Sequence, residues 1–135
     1  MDAGAVNHIA LTVTDLARAK AFYDLVLGHL GYRQVKADAG MVLWIKSGVG
    51  AVLIHPAREG ASRHERTAPG LHHLAFAADS CAQVDQLYRT LRAAGATILD
   101  APADYDYTPG YYAVFFADPD GIKLELCHTP PFART

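Results

Sequence analysis

The chain has 135 residues, a formal charge of −2 at neutral pH and 51% hydrophobic residues. Such a length supports one ordinary core without disulfides or a structural metal, and such a composition excludes a disordered chain and leaves no electrostatic footprint for nucleic acid. No stretch approaches the ~20 apolar residues of a membrane span, and the start carries no basic segment followed by an apolar run. The expectation is a cytoplasmic protein without membrane or nucleic-acid partners, whose partners are a small-molecule substrate and another copy of itself. Cys81 and Cys127 are expected to be free thiols rather than a bridge.

Residues 6–13 alternate as a strand does: Asn7, Ile9, Leu11 and Val13 share one face, and Val6, His8, Ala10 and Thr12 share the other. Asp15 is a plausible N-cap, followed by an apolar stripe of Leu16, Ala19, Tyr23, Val26, Leu27 and Leu30 at helical spacing, which Gly31 can end. Short strands are predicted around residues 32–35, 41–45 and 51–55, separated by glycine-containing turns. Residues 57–69 are polar, hold Arg58, Arg63 and Arg66, and read as a linker; those arginines could meet an acidic substrate group, but a charged linker is more often simply solvated.

The order then repeats. His73 opens a second His-aliphatic-Ala strand at residues 71–77, Ser80 and Gln83 have the spacing of a capping box, and Val84, Leu87, Tyr88 and Leu91 mark a helix before Gly95. Further strands are predicted at 96–99, 112–117 and 122–128, the last two joined by Asp118-Pro119-Asp120-Gly121. The fold class is therefore α+β: two tandem βαβββ modules, about 5–56 and 70–129, within a single domain spanning 1–135. Strand and helix positions of the two modules are read as corresponding at an offset of about 64 or 65 residues, and Trp44 and Phe115 are read, apart from that count, as occupying similar places in the two halves.

A lone strand histidine is more often a packing residue than a ligand, but His8 and His73 stand at equivalent positions, each two residues before an alanine that leaves room beside an imidazole. Glu125 alternates with Leu124 and Leu126, and a half-buried carboxylate there needs a cation, hydrogen bonds or water. Two imidazoles and one carboxylate form the ligand set of an open divalent-metal site suited to Lewis-acid activation of an oxygen substrate, and iron(II) oxygen enzymes use the same set. The metal could be zinc, nickel, manganese or iron. Residues 105–112 bring four tyrosines beside the metal strand as a substrate-facing wall or, equally, a folded-down loop or dimer contact. Glu125, Tyr111 and Tyr112 are the candidate catalytic residues. His72 is expected to face away from His73.

The doubled pattern, His8, His73, Glu125 and the run from Phe116 through Asp118-Pro119-Asp120-Gly121 to Leu126 resemble the vicinal oxygen chelate superfamily, which includes glyoxalase I, bleomycin-resistance proteins, fosfomycin-resistance transferases and extradiol dioxygenases. The resemblance implies a curled mixed sheet around a central metal-bearing cavity, a homodimer, and a metal-dependent lyase or isomerase that passes through an enediolate or alkoxide. An iron(II) extradiol-type dioxygenase and a metal-free ligand-binding protein like the bleomycin-sequestering members are the alternatives. Glyoxalase I carries a further ligand on the last strand of its first module. Counting four from Gly50 lands on Ile54, and His55, one residue on, would point to the opposite face unless a bulge re-aims it. The fosfomycin enzymes carry a threonine where this chain has Ala10.

Overall fold

Residues 2–131 are described in the computed structural model. They fall into two compact units that divide after residue 63, inside the predicted linker. The first contains β1 (His8–Val13), α1 (Leu16–His29), β2 (Arg33–Ala37), β3 (Val42–Lys46) and β4 (Gly50–Pro56); the second contains β5 (Leu74–Ala77), α2 (Cys81–Ala93), β6 (Thr97–Tyr105), β7 (Tyr111–Ala117) and β8 (Lys123–His128). Each unit holds one four-stranded mixed sheet, in the orders β1-β4-β3-β2 and β5-β8-β7-β6. The fold is α+β with two tandem βαβββ modules, as the repeat predicts. Neither sheet closes into a barrel, and the strand that carries His8 is an edge strand.

Local chemistry explains these elements. Asp15 Oδ1 accepts the Arg18 amide at 3.0 Å to start α1, and Gly31 follows its end at φ +86°, a conformation that costs a residue with a Cβ. Ala19, Tyr23, Val26 and Leu27 form the buried stripe of α1 and pack over a sheet face that supplies Leu11, Val13, Trp44, Val52 and Ile54. Burying side chains of this size contributes roughly 1.5–3 kcal/mol each. The indole N–H of Trp44 is satisfied by Asp24 Oδ1 at 2.9 Å. In the second unit Ser80 Oγ accepts the Gln83 amide at 3.1 Å, while Gln83 Oε1 reaches the Asp79 amide at 2.7 Å, one residue before the position of the usual reciprocal cap. Val84, Leu87 and Leu91 bury the α2 face, and Val114, Phe116, Leu124 and Leu126 are buried on one face of the sheet of that unit.

The register revises three sequence expectations. Residues 71–73 are not strand, because β5 begins at Leu74. The tyrosine segment is not a free loop: β6 runs to Tyr105 and β7 starts at Tyr111, so the tyrosines belong to a hairpin. This hairpin is also longer than its counterpart between β2 and β3, and the extra length moves every later position of the second module beyond the 64- or 65-residue offset. As a result Trp44, paired with Val52, corresponds to Phe116, paired with Leu124, and not to Phe115. Cys81 and Cys127 are both free. No helix among the described residues is long and apolar enough to cross a membrane.

Candidate functional site

β8 is placed by the turn before it. Asp118, itself buried, accepts the amides of Asp120 and Ile122 on Oδ1 at 2.9 and 2.8 Å, and Gly121 takes φ +81°. The chain therefore enters β8 in a set register, with Leu124 opposite Leu74 and Phe116 and with Glu125 opposite Ala75 and Phe115. Alternation then sends Leu124 and Leu126 to one face of the sheet and puts Lys123, Glu125 and Cys127 on the other.

Glu125 is only 2% exposed, a costly place for a carboxylate unless its oxygens are satisfied. Both have partners. Oε2 accepts a short hydrogen bond from the Tyr111 hydroxyl, and Oε1 lies 3.3 Å from His73 Nε2. Burial and the bond to Glu125 together push the Tyr111 phenol far above the ordinary tyrosine range, so it stays a proton donor. Around this pair the hairpin builds an aromatic wall: Tyr105 stacks on Tyr107 with ring centroids 5.3 Å apart and meets Phe115 edge-on at 5.3 Å, and Tyr107 meets Tyr111 edge-on at 5.0 Å. Lys123 Nζ sits 4.5 Å from the centre of the Phe115 ring.

His72 does not face away from His73. Their Nδ1 atoms are 2.6 Å apart and their rings meet edge-on at 4.9 Å. The alternation rule fails here because these residues precede the strand instead of lying in it. Desolvation, followed by repulsion from His73, Arg66 and Lys123, lowers the His72 pKa. The pairing leaves two proton arrangements. With the shared proton on His73 Nδ1, Nε2 presents a lone pair toward Glu125; with it on His72, His73 Nε2–H donates to Glu125.

A bound divalent ion is compatible with this donor set. Two donors each ~2.1 Å from one ion, at tetrahedral to octahedral angles, are ~3.0–3.4 Å apart, and the 3.3 Å between His73 Nε2 and Glu125 Oε1 falls in that range. Among the described residues no three His, Cys, Asp or Glu side chains gather as a metal-ready group. The structure brings together His73 and Glu125.

His8 belongs to the first unit. It is exposed at the start of β1, with Nδ1 2.8 Å from Asn7 Oδ1, on the face shared with Ala10 and Thr12. Ala10 pairs with Leu53 where Ala75 pairs with Glu125, so the first-module counterpart of Glu125 is Leu53 and not the counted Ile54. The count slips because Gly50 and Gly121 are not equivalent. Gly50 is already in β4 at φ +151°, where a Cβ would stand 2.8 Å from the Asn7 carbonyl oxygen. His55, opposite Thr12, therefore shares the His8 face without any bulge, and its counterpart is Cys127.

Tyr112 lies on the other side of the sheet from Glu125. Its hydroxyl donates to Asp85 Oδ1 of α2 at 2.6 Å, and that bond, reinforced by burial, raises its pKa to about 12. Beside Glu125 and Tyr111, the second unit contains a cavity of about 640 Å³ whose wall includes Ala75, Ala77, Thr108, Pro109, Tyr111 and Cys127. The sequence resemblance implies a central cavity but not the uncharged lining of this one, and sequence reasoning missed the His72 contact and the roles of Lys123 and Cys127. The last two could have been found from the i, i+2 spacing around Glu125.

Comparison with known proteins agrees with this architecture. Residues 5–126 match the family model of the Glyoxalase/Bleomycin resistance protein/Dioxygenase superfamily. The chain belongs to that superfamily. Among its superfamily relatives, the uncharacterized protein YqjT of Bacillus subtilis is 36% identical over 90% of this chain and 96% of its own length. A 2-epi-5-epi-valiolone epimerase from Actinomyces is 34% identical, covering 93% of this chain and 80% of that protein. The crystal structure of a candidate glyoxalase from Bacillus halodurans superposes with a TM-score of 0.84 at 32% identity, covering 94% of this chain and 97% of that one.

Proposed function

We propose that this superfamily member is a metal-dependent lyase or isomerase of the glyoxalase type, acting on a small substrate with adjacent oxygens, with His8, His73 and Glu125 as the ligands of a divalent ion. The observation that carries the reading is the buried Glu125 carboxylate, with His73 Nε2 3.3 Å from one oxygen and the Tyr111 hydroxyl on the other. A bound ion would supply Lewis-acid stabilisation of negative charge as it develops on vicinal oxygens.

The chain's own residues supply the rest. Tyr111 orients Glu125 by donating to Oε2, which leaves Oε1 directed to the ligand side. His72 fixes the ring of His73 through the Nδ1 contact; when the shared proton passes to His73 Nδ1, the proton on His73 Nε2 is released to solvent and His72 takes one up on its own Nε2, which leaves His73 Nε2 free for coordination. Burial leaves the carboxylate 2% exposed beside the aromatic wall, which strengthens each electrostatic contact made there. An epimerase among the relatives is in keeping with proton-transfer chemistry of this kind.

A second reading, a metal-free ligand-binding protein, is favoured by the fact that Glu125 is satisfied by Tyr111 and His73 without an ion. Metal analysis of the purified protein separates the two, followed by exchange into nickel, zinc, manganese and iron and assay with α-oxoaldehydes and hydroxyketones. About one divalent ion per chain, lost in His73→Ala and Glu125→Ala, is the expected result. Equal metal content in wild type and both variants would overturn the proposed ligands. Oxygen uptake with iron alone would turn the assignment to a dioxygenase. Light scattering is expected to show a homodimer.

A further inference from the structure

The cavity beside Glu125 has a chemical character of its own. Among its described lining residues there are alanines, prolines, threonines, a phenylalanine, Tyr111 and Cys127, and none carries a charge. Ala75 and Ala77 line it from β5, and Ala75 pairs directly with Glu125. Thr108 and Pro109 come from the turn of the hairpin that is longer in the second module than in the first. The charged groups close by are already engaged: Glu125 with Tyr111 and His73, and Lys123 with the face of Phe115. At about 640 Å³ the volume is that of a small-molecule site and far exceeds what two vicinal oxygens and their carbons occupy.

We infer that the substrate carries an uncharged, apolar body seated in this cavity, joined to the oxygen-bearing end that meets His73 and Glu125. This rests on the proposed function for the identity of that end; the character of the body follows from the cavity alone. An anionic body, such as a conjugate bearing carboxylates, would lose hydration without gaining a partner from the wall. A neutral ring or short alkyl chain loses nothing polar and gains the full benefit of apolar burial.

Cys127 lines the cavity, so its alkylation gives a second readout beside metal-dependent binding, with zinc alone as the control for its nearness to Glu125. In a Cys81→Ser background of the full chain, alkylation of Cys127 by iodoacetamide is followed with and without zinc, in the presence of acetohydroxamate, benzohydroxamate or 4-carboxybenzohydroxamate. Binding of each hydroxamate is measured by calorimetry. Benzohydroxamate is expected to bind on the order of 10- to 100-fold more tightly than acetohydroxamate and to slow alkylation, with the carboxylated compound losing most of that gain. Zinc-dependent binding with no difference between acetohydroxamate and benzohydroxamate would overturn the inference and leave the metal reading standing. So would tighter binding of the carboxylated compound, or unchanged alkylation at saturating benzohydroxamate. If zinc has no effect on any hydroxamate while neutral benzamide protects Cys127 and 4-carboxybenzamide does not, the apolar subsite is upheld and the metal reading fails.

Discussion

Tyr111→Phe removes one hydroxyl and leaves the ring in place against Tyr107, so it tests the hydrogen bond to Glu125 together with the lesser contact to Cys127. The acceptor is 2% exposed and water cannot readily replace the lost donor. A hydrogen bond to a charged group is worth ~1.5–3 kcal/mol, and leaving a buried acceptor short of a partner costs a similar amount. The expected loss in unfolding free energy is therefore roughly 1.5–3 kcal/mol, with Tm falling about 4 °C per kcal/mol for a chain of this size. Urea unfolding of the metal-free protein measures it, followed by far-ultraviolet circular dichroism and by the fluorescence of Trp44. Because Trp44 lies in the first unit and Tyr111 in the second, the two signals also report whether the loss stays local. Glu125→Gln keeps an oxygen that can accept from Tyr111 but loses the charge, so a double-mutant cycle with it reports only the charge-dependent part of the bond and should give a coupling smaller than the loss in Tyr111→Phe alone. The raised Tyr111 pKa fixes the sign with pH. Stabilisation by a phenol whose folded pKa is raised is complete below the unfolded value of ~10 and lost only above it, so the deficit should be flat from pH 6 to ~9. A variant within ~0.5 kcal/mol of wild type would refute the claim that Tyr111 satisfies the buried carboxylate.

His73→Ala and Glu125→Ala should abolish metal retention while circular dichroism still shows a folded chain, because the modules have their own cores and an open site is not structural; cooperative unfolding on chelation would contradict this. His55→Ala should change metal affinity by no more than a few-fold, since its counterpart is Cys127 and not Glu125, and loss of the ion by direct metal analysis would make His55 a ligand. Tyr112→Phe breaks the bond to Asp85 on α2 and should cost ~1 kcal/mol below pH 10, a deficit that shrinks as pH rises from ~10 toward the folded value of about 12; a pH-independent deficit in urea titrations would argue that packing, not the bond, is what was lost. The edge strand β1 and the exposed Val6 and Val35 call for cover, so a two-fold dimer is expected, and a monomer in light scattering at micromolar concentration would contradict it.

Periodicity and punctuation carried most of the fold. The stripe from Leu16 to Leu30, the caps at Asp15 and Ser80, and the recurrence of His8 at His73 are local patterns, and local patterns decide which elements form and in what order. Alternation within a strand also put Glu125 on the face opposite Leu124 and Leu126, because the side-chain period of a strand needs no tertiary information. Pairing between strands was another matter. That Leu53 and not Ile54 matches Glu125, that His55 shares the face of His8, and that Phe116 and not Phe115 matches Trp44 depend on where a neighbouring strand docks, and a one-residue slip reverses every face. The same holds for the two tyrosines that are adjacent in sequence: alternation separates Tyr111 from Tyr112, but only the packing of α2 against one face and the burial of Glu125 on the other decide that Tyr112 serves Asp85 and Tyr111 serves the site. The contact between His72 and His73 arises where the chain leaves regular structure, and there no period exists to be read, while the uncharged cavity forms only when β5, β7 and β8 meet the turn of the long hairpin, which the pattern of no single strand records.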